Sequence, residues 1–190
     1  MYDYIAIERK YGSGGHEIAD KLAKKLGYQL YDRGVVVETC KRMGLPYDQV
    51  SGMDEQTPVK AIFKASGTDN TSMEEKIYNT EVEIIKEAAE KPGCVFVGRC
   101  ASEILKDKQC LKVFITADDS YRMKRAINVE NIEADKAEDV MKRFDKKREK
   151  FFTTHSGYKW GSTDYFDIVL NVSELDEEAC VAMLEALVKF

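Results

Sequence analysis

The chain opens on an uncharged apolar run, YIAI (Tyr4 to Ile7), and its hydrophobic period then changes. Beyond the glycines of YGSGG, Ile18, Leu22 and Leu26 recur every fourth residue with Ala19 and Ala23 beside them, which predicts a helix with one apolar face. Glu17–Lys21 and Asp20–Lys24 form i,i+4 pairs on the other face, and Gly27 ends the helix. YQLYD is a short strand candidate, with Asp32 placed to cap a helix from Arg33 to Met43. From Pro46 to Ser72 the pattern breaks into polar, glycine-containing stretches around a brief helical piece, VKAIFKA. Ser72-x-x-Glu75 has the form of a capping box and starts a long helix that stops before Pro92-Gly93.

CVFVG and LKVFIT are near-continuous apolar runs, as strands covered on both faces require, and RCASEILKD between them predicts a short helix. Asp118 and Asp119 precede a helix that carries Arg122 and Arg125. A charged helix from Ala134 to Phe152, a strand at DIVLNV and a helix from Asp176 to Phe190 complete the chain. Strands alternating with helices predict a parallel α/β sheet between helix layers, with ligands at the carboxyl ends of the strands. That topology gathers the glycine loop, Asp32-Arg33, Gly98-Arg99 and Thr116 to Asp119 around one cleft.

Composition narrows the class. With 190 residues, 44% of them apolar and 33% charged, a single soluble domain is expected. A net charge of −5 argues against general nucleic-acid binding but leaves room for a local cationic cleft. No apolar run is long enough for a membrane span, and the start of the chain lacks a basic-plus-apolar signal, so a cytoplasmic protein is expected. Five scattered cysteines without a C-x-x-C pair, and only two histidines, predict neither a disulfide framework nor a metal site.

The segment YGSGGHE is where the chemistry begins. Gly12, Gly14 and Gly15 allow positive φ and a close backbone approach, so that consecutive amides at the start of a helix can hold phosphate. The common form of such a loop, G-x-x-x-x-G-K-[ST], places a lysine after its last glycine. Here that lysine is absent, and Arg9 or Lys10 leaning over the loop, or arginines from later helices, are the available replacements. Arg122 and Arg125 share a helix face at i,i+3, as do Asp145 and Arg148; guanidinium forks match phosphate geometry, although surface helices carry such charges routinely. Arg99, directly after an apolar strand, is expected at the cleft mouth.

ERKYGSGGHEIADKLAKKLGYQLYDRGVV and VFVGRCASEIL, with DDSYRMKRA, DKKREKFF and YFDIVLN, resemble the cytidylate kinase-like family of P-loop proteins. The resemblance implies a three-layer P-loop NTPase fold with a five-stranded parallel sheet, a nucleotide-monophosphate-binding insertion at residues 33–71 and a helical lid at 128–160. It also implies ATP with Mg²⁺, and a nucleotide or other phosphorylated small molecule as partner.

Residue by residue, Arg9, Lys10, Gly12, Ser13, Gly14, Gly15, His16 and Glu17 fall at the donor phosphate site. Gly15 stands at the usual lysine position, and Glu17 near the usual Ser/Thr that would hold Mg²⁺. Arg99 matches the arginine of a GRD segment that grips the acceptor phosphate, with Cys100 replacing the aspartate. Asp145-x-x-Arg148 matches the lid D-x-x-R that recognises the acceptor. Asp32 joins the acceptor side, and Arg99, Arg122, Arg125 and Arg148 are the charges expected at the transferring phosphoryl group. Glu17 is expected to pair with Lys21 or to face a cation. The lid is expected to be held by little apolar burial. A binding protein that keeps the fold without turnover is the alternative.

Overall fold

A computed structural model describes residues 2–47, 50 and 72–190. The elements are β1 (Tyr4–Arg9), α1 (Gly15–Leu26), β2 (Gln29–Tyr31), α2 (Arg33–Met43), α3 (Met73–Ala88) and β3 (Cys94–Val97), followed by α4 (Ala101–Ile104), β4 (Cys110–Thr116), α5 (Asp119–Asn128), α6 (Ala137–Ser156), β5 (Ile168–Asn171) and α7 (Glu177–Lys189). The five strands form one parallel sheet in the order β2-β3-β1-β4-β5. The expected α/β architecture is the observed one. The piece VKAIFKA and most of the 33–71 insertion lie outside the described residues.

Strand alternation sorts the core into two layers. Ile5 and Ile7 of β1, Val95 and Val97 of β3, and Leu111, Val113 and Ile115 of β4 pack against Ile18 and Leu22 of α1 and Leu184 and Val188 of α7. Tyr4, Ala6, Cys94 and Phe96 face the other way, onto Ile84 and Ile85 of α3 and onto Leu105. Phe114 on that face meets Phe152 of α6 and the loop aromatics Trp160, Tyr165 and Phe166. Glu8, two residues beyond Ala6, therefore points into this second layer.

Local signals account for several boundaries. Gly27 closes α1 with φ 69°, donating its amide to carbonyls of the last turn, and Ser72 accepts from the amide of Glu75 at 3.2 Å. Asp176 caps α7 by accepting from Ala179 at 2.6 Å. Asp32 and Asp118 stand at N-cap positions but make no capping hydrogen bond from their side chains. Helix α4 starts only at Ala101, because Gly98, Arg99 and Cys100 are successively left-handed, at φ 76°, 59° and 53°. No helix among the described residues is long and apolar enough to cross a membrane.

Candidate active site

The carboxyl ends of β1, β2 and β3 open into a cleft of about 730 Å³, lined by the glycine loop on one wall and by α6 on another. The loop is shaped by its neighbours. Gly12 (φ 72°) and Gly14 (φ 75°) are left-handed, and a Cβ on Gly12 would stand 2.7 Å from the carbonyl oxygen of Arg122. Ser13 is buried, and its hydroxyl donates back to the Lys10 carbonyl at 2.8 Å, so it closes the turn instead of facing the cleft. The amides of Gly12, Gly14, Gly15, His16 and Glu17 have no acceptor among the described residues. Five donors thus remain open around the start of α1, where the helix dipole adds positive potential. This is the geometry of an anion cradle.

Gly15 is small for a specific reason. A Cβ there would meet the Arg9 Cβ at 2.7 Å, and one on Gly98 would meet the Arg9 Nη1 at 2.5 Å. The Arg9 side chain therefore runs from the loop across the cleft floor toward β3. Its Nη2 ends 3.9 Å from Asp32, which also holds His16 Nδ1 at 2.8 Å. Arg9, His16 and Asp32, expected on separate sides of the site, are one charge cluster.

The two arginines of α5 are committed elsewhere. Arg122 is buried and donates to Asp119 at 2.7 Å, to Asp145 at 2.6 Å and to the Tyr11 carbonyl at 3.1 Å. The guanidinium holds the Asp119 carboxyl below its ordinary range. Asp145 also accepts from the Tyr11 amide at 2.8 Å, so it fastens α6 to the loop. Arg125 pairs with Glu17 at 2.8 Å and Glu177 at 3.2 Å. Glu17 is therefore answered by Arg125 and not by Lys21, which instead reaches Glu177 and Glu178 at 2.9 Å each. Arg125 Nε, buried and without a hydrogen-bond partner among the described residues, lies 3.5 Å from where a Gly14 Cβ would stand.

Arg99 lines the cleft yet is only 7% exposed, and Nη1 sits 3.1 Å from Glu81, whose carboxylate is fully buried. β3 delivers Arg99 into the cleft wall, onto a carboxylate of α3. Arg148 donates to the Arg9 carbonyl at 3.2 Å and covers the rings of Tyr11 and Phe144. Those rings stack at 4.6 Å. Helix α6 thus carries more apolar contact than expected, with Ala137, Met141, Phe144 and Phe152 buried. Lys10, Arg33 and Arg143 line the cleft without an ion pair among the described residues.

Sequence reasoning missed Glu8, Glu81 and Tyr11. Glu8 is buried, accepts from Trp160 Nε1 at 3.3 Å and from the Cys100 backbone, and is pushed above the usual carboxylate range by burial. A carboxylate in step with Tyr4 and Ala6 was the available signal. Glu81 likewise sits one turn from both Ile77 and Ile85 on an otherwise apolar stripe. Tyr11 left no signal, since its role lies in a backbone bond to a distant helix. Cys100 is a packed thiol, raised by burial.

A sequence model of the cytidylate kinase-like family matches residues 4–174. The chain belongs to the cytidylate kinase-like family. Within reach of this family, proteins named cytidylate kinase from Thermoplasma volcanium and Thermoplasma acidophilum are 28% and 26% identical to the chain. The first alignment covers 96% of this chain and 90% of the relative, the second 88% and 82%. A solved structure of an uncharacterised protein from Eubacterium ventriosum superposes with a TM-score of 0.76, at 28% identity and 98% coverage of both chains. Shikimate kinase from Bacteroides thetaiotaomicron, at 16% identity and full coverage of both chains, superposes at 0.61 and shares the fold.

Proposed function

We propose that this member of the cytidylate kinase-like family is an ATP-dependent kinase that moves the γ-phosphoryl group onto a nucleoside monophosphate or similar small phosphorylated acceptor. The observation that carries the reading is the cradle of five open amides at Gly12, Gly14, Gly15, His16 and Glu17. A triphosphate fits it without any side chain, and the names of the Thermoplasma relatives favour a nucleotide as acceptor. Phosphoryl transfer asks mainly for positioned positive charge, because charge spreads over the transferring oxygens. Arg9, Lys10 and Arg148 stand on the donor side in this reading, with Arg33, Arg99 and Arg143 toward the acceptor. Residues 33–71 are the acceptor insertion and 128–160 the lid.

Among the described residues no three His, Cys, Asp or Glu side chains are grouped to hold a metal. Mg²⁺ commonly keeps its waters and binds through the substrate phosphates, so it suits a site whose own part is backbone donors. When bound it would neutralise charge on the transferring oxygens; the chain's amides would orient the phosphates, and Arg125 offsets the charge of Glu17.

A second reading, a nucleotide-binding protein without turnover, draws on a specific observation. Gly15 leaves no lysine, and Arg122 and Arg125 are held by Asp119, Asp145, Glu17 and Glu177. A thermal-shift panel of nucleotides with and without Mg²⁺, followed by turnover assays on nucleoside monophosphates, separates the two. At a hundredfold excess over Kd, ATP stabilises by about 2.7 kcal/mol, several degrees in Tm. Stabilisation with phosphorylated product supports the kinase, stabilisation without product supports the binding protein, and no stabilisation sinks both.

A further inference from the structure

The cradle lacks the lysine that a common phosphate loop places beside its last glycine, and one side chain in the first turn of α1 is arranged to replace it conditionally. His16 is 57% exposed, lines the cleft, and contributes its own amide to the cradle. Its Nδ1 stands 2.8 Å from Asp32. A carboxylate only accepts, so the proton on this ring is held at Nδ1, and Nε2 is the nitrogen left for a ligand. In the neutral ring Nε2 is a lone pair, which repels phosphate oxygen. In the imidazolium it is an N–H donor with a positive charge.

The surrounding charges make that difference count. From β1, Arg9 lies 3.9 Å from the same Asp32, so one carboxylate serves two cationic partners. From α1, Glu17 is paired with Arg125 at 2.8 Å and Asp20 with Lys24 at 2.6 Å. From α2 and the cleft walls, Arg33, Lys10 and Arg148 carry charges that stay fixed across the pH range in which histidine titrates. Asp32 offsets Arg9, and protonation of His16 gives the cluster a surplus positive charge beside the phosphates.

We propose that His16, held by Asp32, is the side-chain cation of this phosphate cradle and acts only when protonated, so that affinity for a polyphosphate falls as pH rises. This rests on the reading of the loop as a phosphate site. It adds a residue with a defined role and a pH dependence that a lysine-bearing loop lacks.

The test is calorimetric titration of the full chain with ATP, and separately with inorganic tripolyphosphate, near pH 5.5 and 8.5 at fixed ionic strength. Wild type is compared with His16→Lys, whose charge is fixed, and His16→Gln, which has none. The ligand gains charge between the two pH values, which favours a fixed cation over a neutral side chain, so wild type is compared with both variants at each pH. Relative to His16→Lys, wild-type affinity should fall about tenfold between the two pH values, the worth of one charge-assisted phosphate contact. His16→Gln should be weak at both, and level with wild type near pH 8.5. A constant wild-type to His16→Lys ratio overturns the inference while leaving the phosphate site standing, as does a constant wild-type to His16→Gln ratio. Failure of all three proteins to bind either ligand at either pH overturns the phosphate site itself. Because the His16 side chain is largely exposed, folding of the variants is not at issue.

Discussion

The glycine loop and the buried arginines around it offer positive potential by opposite means. The glycine loop presents five backbone donors with no acceptor among the described residues. Helix α5 and the turn after β3 present arginines already answered: Arg122 by Asp119 and Asp145, Arg125 by Glu17 and Glu177, Arg99 by Glu81. Backbone donors of this kind need no counter-charge, since the fold itself fixes their direction. A buried guanidinium must be paired or neutralised by its surroundings, because desolvation of an unpaired ion exceeds what a vacant site returns. The lesson is a division of labour: loop variants should report first on ligand binding, arginine variants first on stability.

The sharpest way to break that comparison is Arg99→Ala. It leaves the fully buried Glu81 without its 3.1 Å partner, and breaking such a pair costs about 3 kcal/mol or more. Chemical denaturation should show that loss in the absence of nucleotide. A variant with unchanged stability and a tenfold loss of acceptor binding would return Arg99 to the acceptor-gripping role that the family resemblance implies.

Asp145→Ala comes next. Its carboxylate joins the Tyr11 amide and Arg122, so one substitution releases the loop from α6 and leaves Arg122 short of an acceptor. Hydrogen bonds to charged groups are worth about 1.5 to 3 kcal/mol, and a loss of about 2 kcal/mol is expected. Amide exchange should rise across α6 around Met141 to Phe152. Exchange confined to the loop would show that α6 is held by its apolar contacts alone.

Gly12→Ala tests the glycine loop. The new Cβ meets the Arg122 carbonyl at 2.7 Å in a left-handed conformation that costs an alanine about 1 to 2 kcal/mol. The loop must move, so ATP affinity should drop tenfold or more while stability falls less than in Arg99→Ala. Loss of stability with intact binding would mean that the open amides are not the site.

The same division explains what could be read from the chain. Period and glycine placement pointed to β1, α1 and the cradle, because Ile18, Leu22 and Gly14 act through local backbone geometry. Partner choice was not legible. Glu17 has Lys21 one turn away, yet Arg125, 108 residues on, takes it, because the fold brings this α5 side chain to the first turn of α1 and Lys21 turns to α7. Arg99 is a related case: its place after β3 is visible in sequence, but the carboxylate waiting on α3 is visible only as a break in an apolar stripe.

The smallest effect expected belongs to Glu8, a carboxylate beneath the cleft that faces Arg9 and Arg148 and accepts from Trp160 at 3.3 Å. Burial raises its folded-state value, the dominant influence, and the nearby cations and hydrogen bonds lower it by less. The sign follows from linkage. The folded chain holds this proton more tightly than the unfolded chain, so Glu8 contributes stability below the unfolded carboxylate value. That contribution is lost as pH rises through the folded value. Wild type should therefore gain stability relative to Glu8→Gln on moving from neutral to mildly acidic pH. Trp160, the chain's single tryptophan, gives an independent readout, since its indole N–H donates to the Glu8 carboxyl, whose charge changes on protonation. Its emission should titrate with a midpoint above the ordinary glutamate range in wild type and stay flat in Glu8→Gln. A midpoint at or below that range would mean that Arg9 and Arg148 outweigh burial, and that the cleft floor is more open to charge than its packing implies.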